Sequence, residues 1–249
     1  MKSILSKIWY ILSTGMYFML AVFSSWVFLV SLMQNPIRMG RAAISLSSEG
    51  HYLGMLAGFA AYLCFMLFLI IPRIRHNLNW FMKLTHELTH ALMALLFFGK
   101  IRELVVRDKE CYVRYQCGPI GYIPITLAPY CLPIYTLAIL PFRYAGMSGF
   151  MVLFDFLIAF TFAFHLHSFI KQTRFTQSDI EGCGRARSLA FISLVIFVIL
   201  AILVAVPGSG IKNAIERVFA DYPLAVFDYF YDALHLLGKY FYRFLTHII

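Results

Sequence analysis

The sequence predicts an all-α polytopic membrane protein with about six transmembrane helices, a short β-hairpin and a C-terminal amphipathic helix. Hydrophobic residues make up 61% of the 249-residue chain and charged residues only 13%, whereas a soluble domain is about half apolar and about a quarter charged. Several apolar runs also reach about 20 residues, the length that crosses a hydrocarbon core. A transmembrane β-barrel would show alternating segments of about ten residues, and this chain lacks that pattern.

The net charge of +9 agrees with this class, because basic loops that flank membrane spans produce such an excess. No run of lysine and arginine is long enough for a nucleic-acid arm, so we predict no nucleic-acid partner. The first apolar run is too long for the core of a signal peptide, and no small-residue cleavage site follows it. We expect an integral multi-pass protein, in contact with the lipid bilayer, in the inner or plasma membrane of a prokaryote.

Six apolar runs are the predicted spans, and short polar segments separate them. They cover Ile8–Met33, His51–Ile71, Trp80–Phe98, Pro119–Pro141, Phe150–Ile170 and Ser188–Val206. The loop after the first span carries Arg38 and Arg41, and "RIRHNLN" after Pro72 is interpreted as a short basic turn. We expect the last span to end at Pro207-Gly208, since proline and glycine interrupt helices.

The fourth run is rich in proline, at a density that breaks or kinks a helix. It contains Pro119, Pro124, Pro129, Pro133 and Pro141. Either this run crosses the membrane fully or it enters and turns back as a re-entrant element. The proline density favours the re-entrant arrangement, which brings the loop at 171–187 to the membrane face where the third span begins.

A charged segment, "KIRELVVRDKECYVRYQCG", follows the third span from Lys100 to Gly118. Its apolar and polar residues alternate on both sides of Asp108–Glu110, which predicts two short strands joined by a turn. Open strand edges cannot face lipid, so the hairpin must lie at the interface or against protein. Cys111 and Cys117 within it are interpreted as free thiols, with a disulfide or a shared metal as the alternatives.

The third span contains the sequence "HELTH", from His86 to His90. Residues four apart lie on the same face of a helix, one turn from each other, so His86 and His90 are spaced to bind one Zn²⁺. Glu87 then reaches a water molecule at the open coordination position and acts as general base. Zinc lowers the pKa of that water toward neutrality, which allows attack on a carbonyl carbon. Ionisable residues within a span are costly and usually functional.

The HExxH motif in a membrane span, the hairpin after it and the later "SDIEGCGR" together resemble the site-2 protease family of intramembrane zinc metalloproteases. The resemblance covers roughly residues 73–206. It implies a third zinc ligand, an aspartate before a later core helix and followed by glycines, and Asp179 matches that position with Gly182 and Gly184 after it. It also implies that a strand near the zinc pairs with an unwound substrate, and Tyr112–Gln116 is the candidate edge.

Other polar residues compete with Asp179 for the place of third ligand. Asp155, His165 and His167 all lie in the fifth span. His165 is the next candidate after Asp179. His165 and His167 are two residues apart, so one straight helix cannot direct both at the same site. Hydrogen bonding to a ligand is open to either histidine.

The chain divides into three predicted parts: two N-terminal transmembrane helices over 1–72, a site-2-protease-like catalytic core over 73–206, and an amphipathic or membrane-associated helical tail over 207–249. The tail is either an interfacial helix or a span that packs against the bundle through its polar residues. Within the tail, Leu224–Ile249 carries one polar stripe at helical spacing. Its members are Asp228, Asp232, His235, Lys239 and Arg243.

The sequence therefore predicts a membrane-embedded zinc endopeptidase that hydrolyses peptide bonds in or near transmembrane segments of other membrane proteins. His86, His90 and Asp179 are the predicted zinc ligands, and Glu87 is the predicted catalytic base. Two alternatives stay open: a non-proteolytic scaffold of the same architecture, and an ion or proton transporter that uses intramembrane histidine and acidic residues.

Overall fold

The computed structural model describes residues 2–35, 51–107, 110–145, 150–174 and 176–248. Nearly all of these residues are helical. The helices are α1 (Lys2–Gln34), α2 (His51–Leu67), α3 (Pro72–Leu96), α4 (Tyr122–Cys131), α5 (Ile134–Ala145), α6 (Met151–Gln172), α7 (Ser178–Cys183), α8 (Arg185–Glu216) and α9 (Tyr222–Ile248). A 3₁₀ turn at Phe68–Ile70 follows α2, and a π-helical segment at Arg217–Asp221 joins α8 to α9. The predicted loop with Arg38 and Arg41 lies outside the described residues.

Four helices in the described part of the chain are long and apolar enough to cross a membrane. They cover Ile4–Gln34, Tyr52–Ile70, Met151–Gln172 and Arg185–Pro207. A fifth span results if α4 and α5, which meet at a bend of 81°, are counted together. The prediction of a membrane protein built from apolar helices is thus supported.

The predicted hairpin is confirmed as an antiparallel pair, β1 (Lys100–Val106) and β2 (Cys111–Gln116). The register pairs Lys100 with Gln116 and Val106 with Cys111, with an irregularity between Ile101 and Glu103. Asp108 and Lys109 of the predicted turn lie outside the described residues. Cys111 and Cys117 are free thiols, as the sequence indicated.

One predicted boundary was wrong. "RIRHNLN" forms no turn, since α3 begins at Pro72 and continues through it. Proline suits the first position of a helix because the N–H that it lacks would have no helical partner there. The predicted end of the last span is supported, since the apolar span of α8 ends at Pro207. Helical residues continue from there to Glu216, with a break at Gly210, where φ is 73°.

Close packing of α2 on α6 depends on two glycines at GxxxG spacing, Gly54 and Gly58. A Cβ at Gly54 would lie 2.6 Å from the carbonyl oxygen of Val152, and one at Gly58 would overlap the backbone of Phe156. Small residues at this spacing let helix backbones approach closely in membranes. The pairing holds α6 in place, and α6 in turn packs against α5.

The N-terminal helix α1 packs along α8 and reaches the start of that helix. Gly184, between α7 and α8, has φ of 86°, and a Cβ there would overlap the ring of Tyr10. The guanidinium of Arg187 lies 4.9 Å from the centroid of the same ring. It also donates to the hydroxyl of Ser13 at 3.3 Å. The first turn of α8 is thereby fixed against α1.

The tail prediction is confirmed as a helix, α9, which contacts α1 through Phe227 and Phe23 at a ring separation of 5.5 Å. Of the polar stripe, Asp228, Asp232, His235 and Lys239 are exposed, and the side chain of Arg243 lies outside the described ones. Most described apolar side chains of α9 are exposed as well.

A buried ion pair joins α5 to α6. Arg143 Nη2 donates to Asp155 Oδ2 at 3.3 Å, Arg143 Nε donates to the other carboxylate oxygen, and both side chains are buried. The two-pronged contact satisfies a carboxylate that would otherwise be costly in this apolar environment.

Replacing one partner of this ion pair leaves the other as a buried charge without a counter-charge. We expect Asp155→Asn to lower the free energy of unfolding by about 3–5 kcal/mol, measured as a lower midpoint of denaturation in detergent. The double variant Arg143→Met, Asp155→Leu removes both charges and should recover most of the loss. A double variant as unstable as Asp155→Asn would contradict a structural role for the pair.

Candidate metal centre

The two histidines of the HExxH motif lie on the buried side of α3. The motif is helical throughout, as its spacing requires. One turn earlier, Met82 packs with Tyr62 of α2 and Phe164 of α6 and so fixes the helix in the bundle. The imidazole rings of His86 and His90 lie edge to face, with centroids 5.0 Å apart.

Asp179 reaches these histidines from the short helix α7. The next residue, Ile180, and Cys183 pack with Leu127 and Tyr130 of α4. These apolar contacts hold α7 against α4 and direct the carboxylate toward α3. Asp179 Oδ2 lies 3.6 Å from His86 Nε2 and 3.5 Å from His90 Nε2.

The three side chains offer ligand atoms that all lie within 4.8 Å of one another. Metal–ligand bonds of about 2.0–2.2 Å in a tetrahedral zinc site separate neighbouring ligand atoms by about 3.3–3.6 Å. The two separations between Asp179 and the imidazoles fall at the upper end of this range. Two imidazoles and one carboxylate form a donor set that suits zinc and other divalent transition metals. The residues present therefore fit a metal ion.

Each ligand candidate is also oriented by a neighbour. His90 Nδ1 lies 2.8 Å from the carbonyl oxygen of Ile125. A carbonyl only accepts, so Nδ1 carries the proton and, in the neutral ring, Nε2 presents its lone pair toward Asp179. The hydroxyl of Tyr130 donates to Asp179 Oδ2 at 3.0 Å and fixes the carboxylate.

The ionisation state of the Asp179 carboxyl agrees with a role as metal ligand. Burial by itself would raise the pKa of the Asp179 carboxyl, but hydrogen bonds from His86 and His90, with their positive charge when protonated, hold the pKa well below its usual range. The carboxylate is therefore ionised, as a metal ligand must be.

Glu87 lies beside the three residues, and only 8% of its surface is exposed. The backbone of Val113 in β2 contributes a hydrogen bond to its carboxylate. An open cleft of about 470 Å³ leads to this place. Its walls include Lys83, His86, Glu87, Cys111, Lys171 and Arg174.

The competing candidates for the third ligand lie elsewhere. Asp155 is bound to Arg143, as described above. His167 Nδ1 lies 2.8 Å from the hydroxyl of Tyr62. His165 is buried but does not belong to the group of converging ligand atoms. Among the described residues, Asp179 alone joins the two motif histidines in such a group.

The sequence did not indicate the orienting residues. Tyr130 stands in the proline-rich run, where the only signal was that a buried phenol needs a hydrogen-bond partner. The carbonyl of Ile125 is a backbone group, and no side-chain pattern identifies it.

Metal content tests the site directly. We expect about one zinc ion per chain in the detergent-purified protein, and loss of that ion in both His86→Ala and Asp179→Ala. The double variant Arg143→Met, Asp155→Leu serves as control, because it alters an intramembrane carboxylate outside the cluster, and it should keep its zinc. Zinc lost in His86→Ala but retained in Asp179→Ala would remove Asp179 from the site.

No protein-family model, no curated protein and no solved structure matches this chain. The assignment of the cluster therefore depends on its own geometry and chemistry.

Proposed function

We propose that this protein is a membrane-embedded zinc endopeptidase that hydrolyses peptide bonds in or near transmembrane segments of other membrane proteins. The observation that carries the proposal is the approach of Asp179 Oδ2 to Nε2 of both HExxH histidines, at 3.5 and 3.6 Å. A chance HExxH sequence has no reason to meet a distant carboxylate at ligand spacing.

Three residues would hold the ion: His86, His90 and Asp179. A bound zinc ion supplies Lewis acidity, which polarises a carbonyl oxygen and lowers the pKa of water. Glu87 accepts a proton from the water molecule that adds to the peptide carbonyl carbon. It then delivers that proton to the amide nitrogen as the C–N bond breaks, so that one carboxyl and one amine terminus result. Tyr130 keeps the Asp179 carboxylate in position throughout.

The hairpin provides a surface for an extended substrate. Peptide bonds inside a helix are hydrogen-bonded and inaccessible, so a transmembrane segment must unwind before cleavage, and a strand edge replaces the lost hydrogen bonds. Val113 lies opposite Leu104, three pairs along from the hydrogen-bonded Arg107–Glu110 pair, and hydrogen-bonded and non-hydrogen-bonded pairs alternate in an antiparallel ladder. The Val113 N–H that bonds to Glu87 therefore points away from β1. The outer edge of β2 thus borders the proposed base, where such a strand would pair.

The membrane arrangement follows from the same proposal. We propose a multi-pass protein with six membrane-embedded elements: five spans, of which α3 carries HExxH within the membrane, and the bent pair α4–α5 as a re-entrant element. The bend of 81° supports this arrangement. So does the hydrogen bond of Lys171 Nζ to Asn79 Oδ1, because it brings the end of α6 beside the first half of α3.

Glu87→Gln separates catalysis from metal binding. The amide has nearly the same shape but cannot accept the proton, so we expect hydrolysis of a transmembrane test substrate to fall by about 10²–10⁴-fold. Zinc content should stay at the wild-type level, because Glu87 is not a ligand. Unchanged biological activity in this variant would favour a scaffold, and ion flux in vesicles that survives it would favour a transporter.

Cys111 gives access to the cleft without touching the metal ligands. Its half-buried thiol lines the same cleft as His86 and Glu87. We expect a bulky maleimide at Cys111 to obstruct the cleft and abolish most of the peptidase activity. Cys111→Ser should be active and resistant to the reagent. Full peptidase activity in the wild-type protein after modification of Cys111 would show that the cleft is not the route of the substrate, whereas equal inhibition of both proteins would show that another cysteine, such as Cys64 or Cys117, is responsible.

A further inference from the structure

His165 is a buried histidine whose ring nitrogen has no protein partner. Only 7% of the residue is exposed, and its Nε2 is one of two buried side-chain atoms in the described chain without a hydrogen bond. A buried polar group left unpaired destabilises a fold, and in native proteins it usually marks a bound water molecule. An apolar residue in this place would have avoided the cost.

A small, partly open cavity of about 10 Å³ is lined by His165 and lies between α3, the bent pair α4–α5 and α6. This is the space that one water molecule needs. Its polar lining consists of Thr85, His86, Thr89, Tyr135, Thr161, His165, Ser168 and Gln172. His86, one of the candidate metal ligands, thus lines the same cavity as the unpaired histidine.

The threonine hydroxyls that line the cavity can accept hydrogen bonds from a water molecule. Thr85, Thr89 and Thr161 each donate their hydroxyl proton to a backbone carbonyl one turn earlier, at 2.7–2.8 Å. The oxygen of Thr85 also accepts from the hydroxyl of Tyr135 at 3.1 Å, and the oxygen of Thr161 accepts from that of Thr136 at 3.0 Å, so each of these two oxygens keeps one lone pair. These remaining lone pairs, and those of Thr89, can accept from a molecule in the cavity that the three threonines line. A water molecule can donate its two protons to such oxygens while its own oxygen accepts from imidazole N–H groups. The two to four polar partners that an internal water requires are present.

The two histidines of the HExxH motif differ in the hydrogen bond that orients the ring through Nδ1. His90 is fixed by the carbonyl of Ile125 on its Nδ1 side. His86 also directs Nε2 at Asp179, so its Nδ1 lies on the opposite side of the ring. The described residues supply no carbonyl to that nitrogen. Metal-binding histidines almost always donate their second N–H to a carboxylate, a carbonyl or a water.

We propose that a water molecule held by His165 occupies this cavity and accepts the Nδ1–H of His86. His165 is then a positioning residue, which acts on the metal through His86 and touches neither metal nor substrate. The inference rests on the proposed metal site, and it names the partner that the site otherwise lacks. It also explains why a histidine, and not an apolar residue, occupies this buried position of α6.

The test is the zinc affinity of detergent-purified His165→Phe, measured by competition with a chelator of known affinity. Phenylalanine keeps an aromatic ring but has no nitrogen, so the water molecule loses its hydrogen bond to residue 165. The Nδ1–H of His86 then loses the acceptor that orients the ring. Loss of such a support typically weakens metal binding by about 10–100-fold. His165→Gln retains a polar group that can hold the water, and we expect it to recover part of the affinity.

His167→Phe is the matched control, two residues further along α6. This substitution removes the hydrogen bond between His167 and Tyr62. His167 does not line the cavity, so zinc affinity should stay at the wild-type value. If His165→Phe fails to fold, Thr89→Val removes one acceptor from the opposite wall in a side chain of the same shape, and it should weaken zinc binding by the same mechanism.

Two results would overturn the inference. Wild-type zinc affinity in folded His165→Phe would show that His165 has no part in the site, as would equal weakening in His165→Phe and His167→Phe. A wild-type protein that binds no zinc is a different outcome, because it removes the metal site itself and this inference with it. Measuring the wild-type protein first distinguishes the two failures.

Discussion

The contact between Asp179 and the two imidazoles is the interaction on which the rest of the site depends. The side chain of Asp179 is 27% exposed, and it stands beside the rings of His86 and His90, which are 13% and 7% exposed. A partly buried charge of this kind requires partners that compensate for lost hydration. Tyr130 provides one hydrogen bond, and a cation shared with the histidines would provide the rest. Ile180, the residue after Asp179, packs on Leu127 and Tyr130 of α4 and so holds the carboxylate beside α3.

The chemistry of the site was more predictable from the sequence than the placement of its helices. HExxH, the hairpin and the aspartate before the glycines are local patterns, and His86, His90 and Asp179 do meet in the structure. The helix boundary near Pro72 was mispredicted, because proline is compatible with a first helical turn. Whether Asp155 or Asp179 approaches the histidines depended on packing between distant segments, which no local pattern encodes.

The polar residues of the apolar helices separate into two kinds once their partners are known. Asp155 pairs with Arg143, and His167 with Tyr62, so each is satisfied by a neighbouring helix. These contacts join neighbouring helices, and neither Asp155 nor His167 belongs to the group of converging ligand atoms. His86, His90 and Asp179 instead present their atoms to a common point. Composition alone does not separate these kinds, since all are ionisable groups in apolar runs.

The packing at the glycine between α7 and α8 makes the segment that carries Asp179 dependent on the N-terminal helix. Gly184 has room for no side chain because the ring of Tyr10 covers it, and Arg187 stacks on the other part of that ring. Tyr10 belongs to α1, far outside the segment that resembles a protease core. A fragment that starts after the second helix would therefore lose the surface against which the Asp179 helix and its neighbour are seated. The first helix is structurally part of the site, although it contributes no residue to its chemistry.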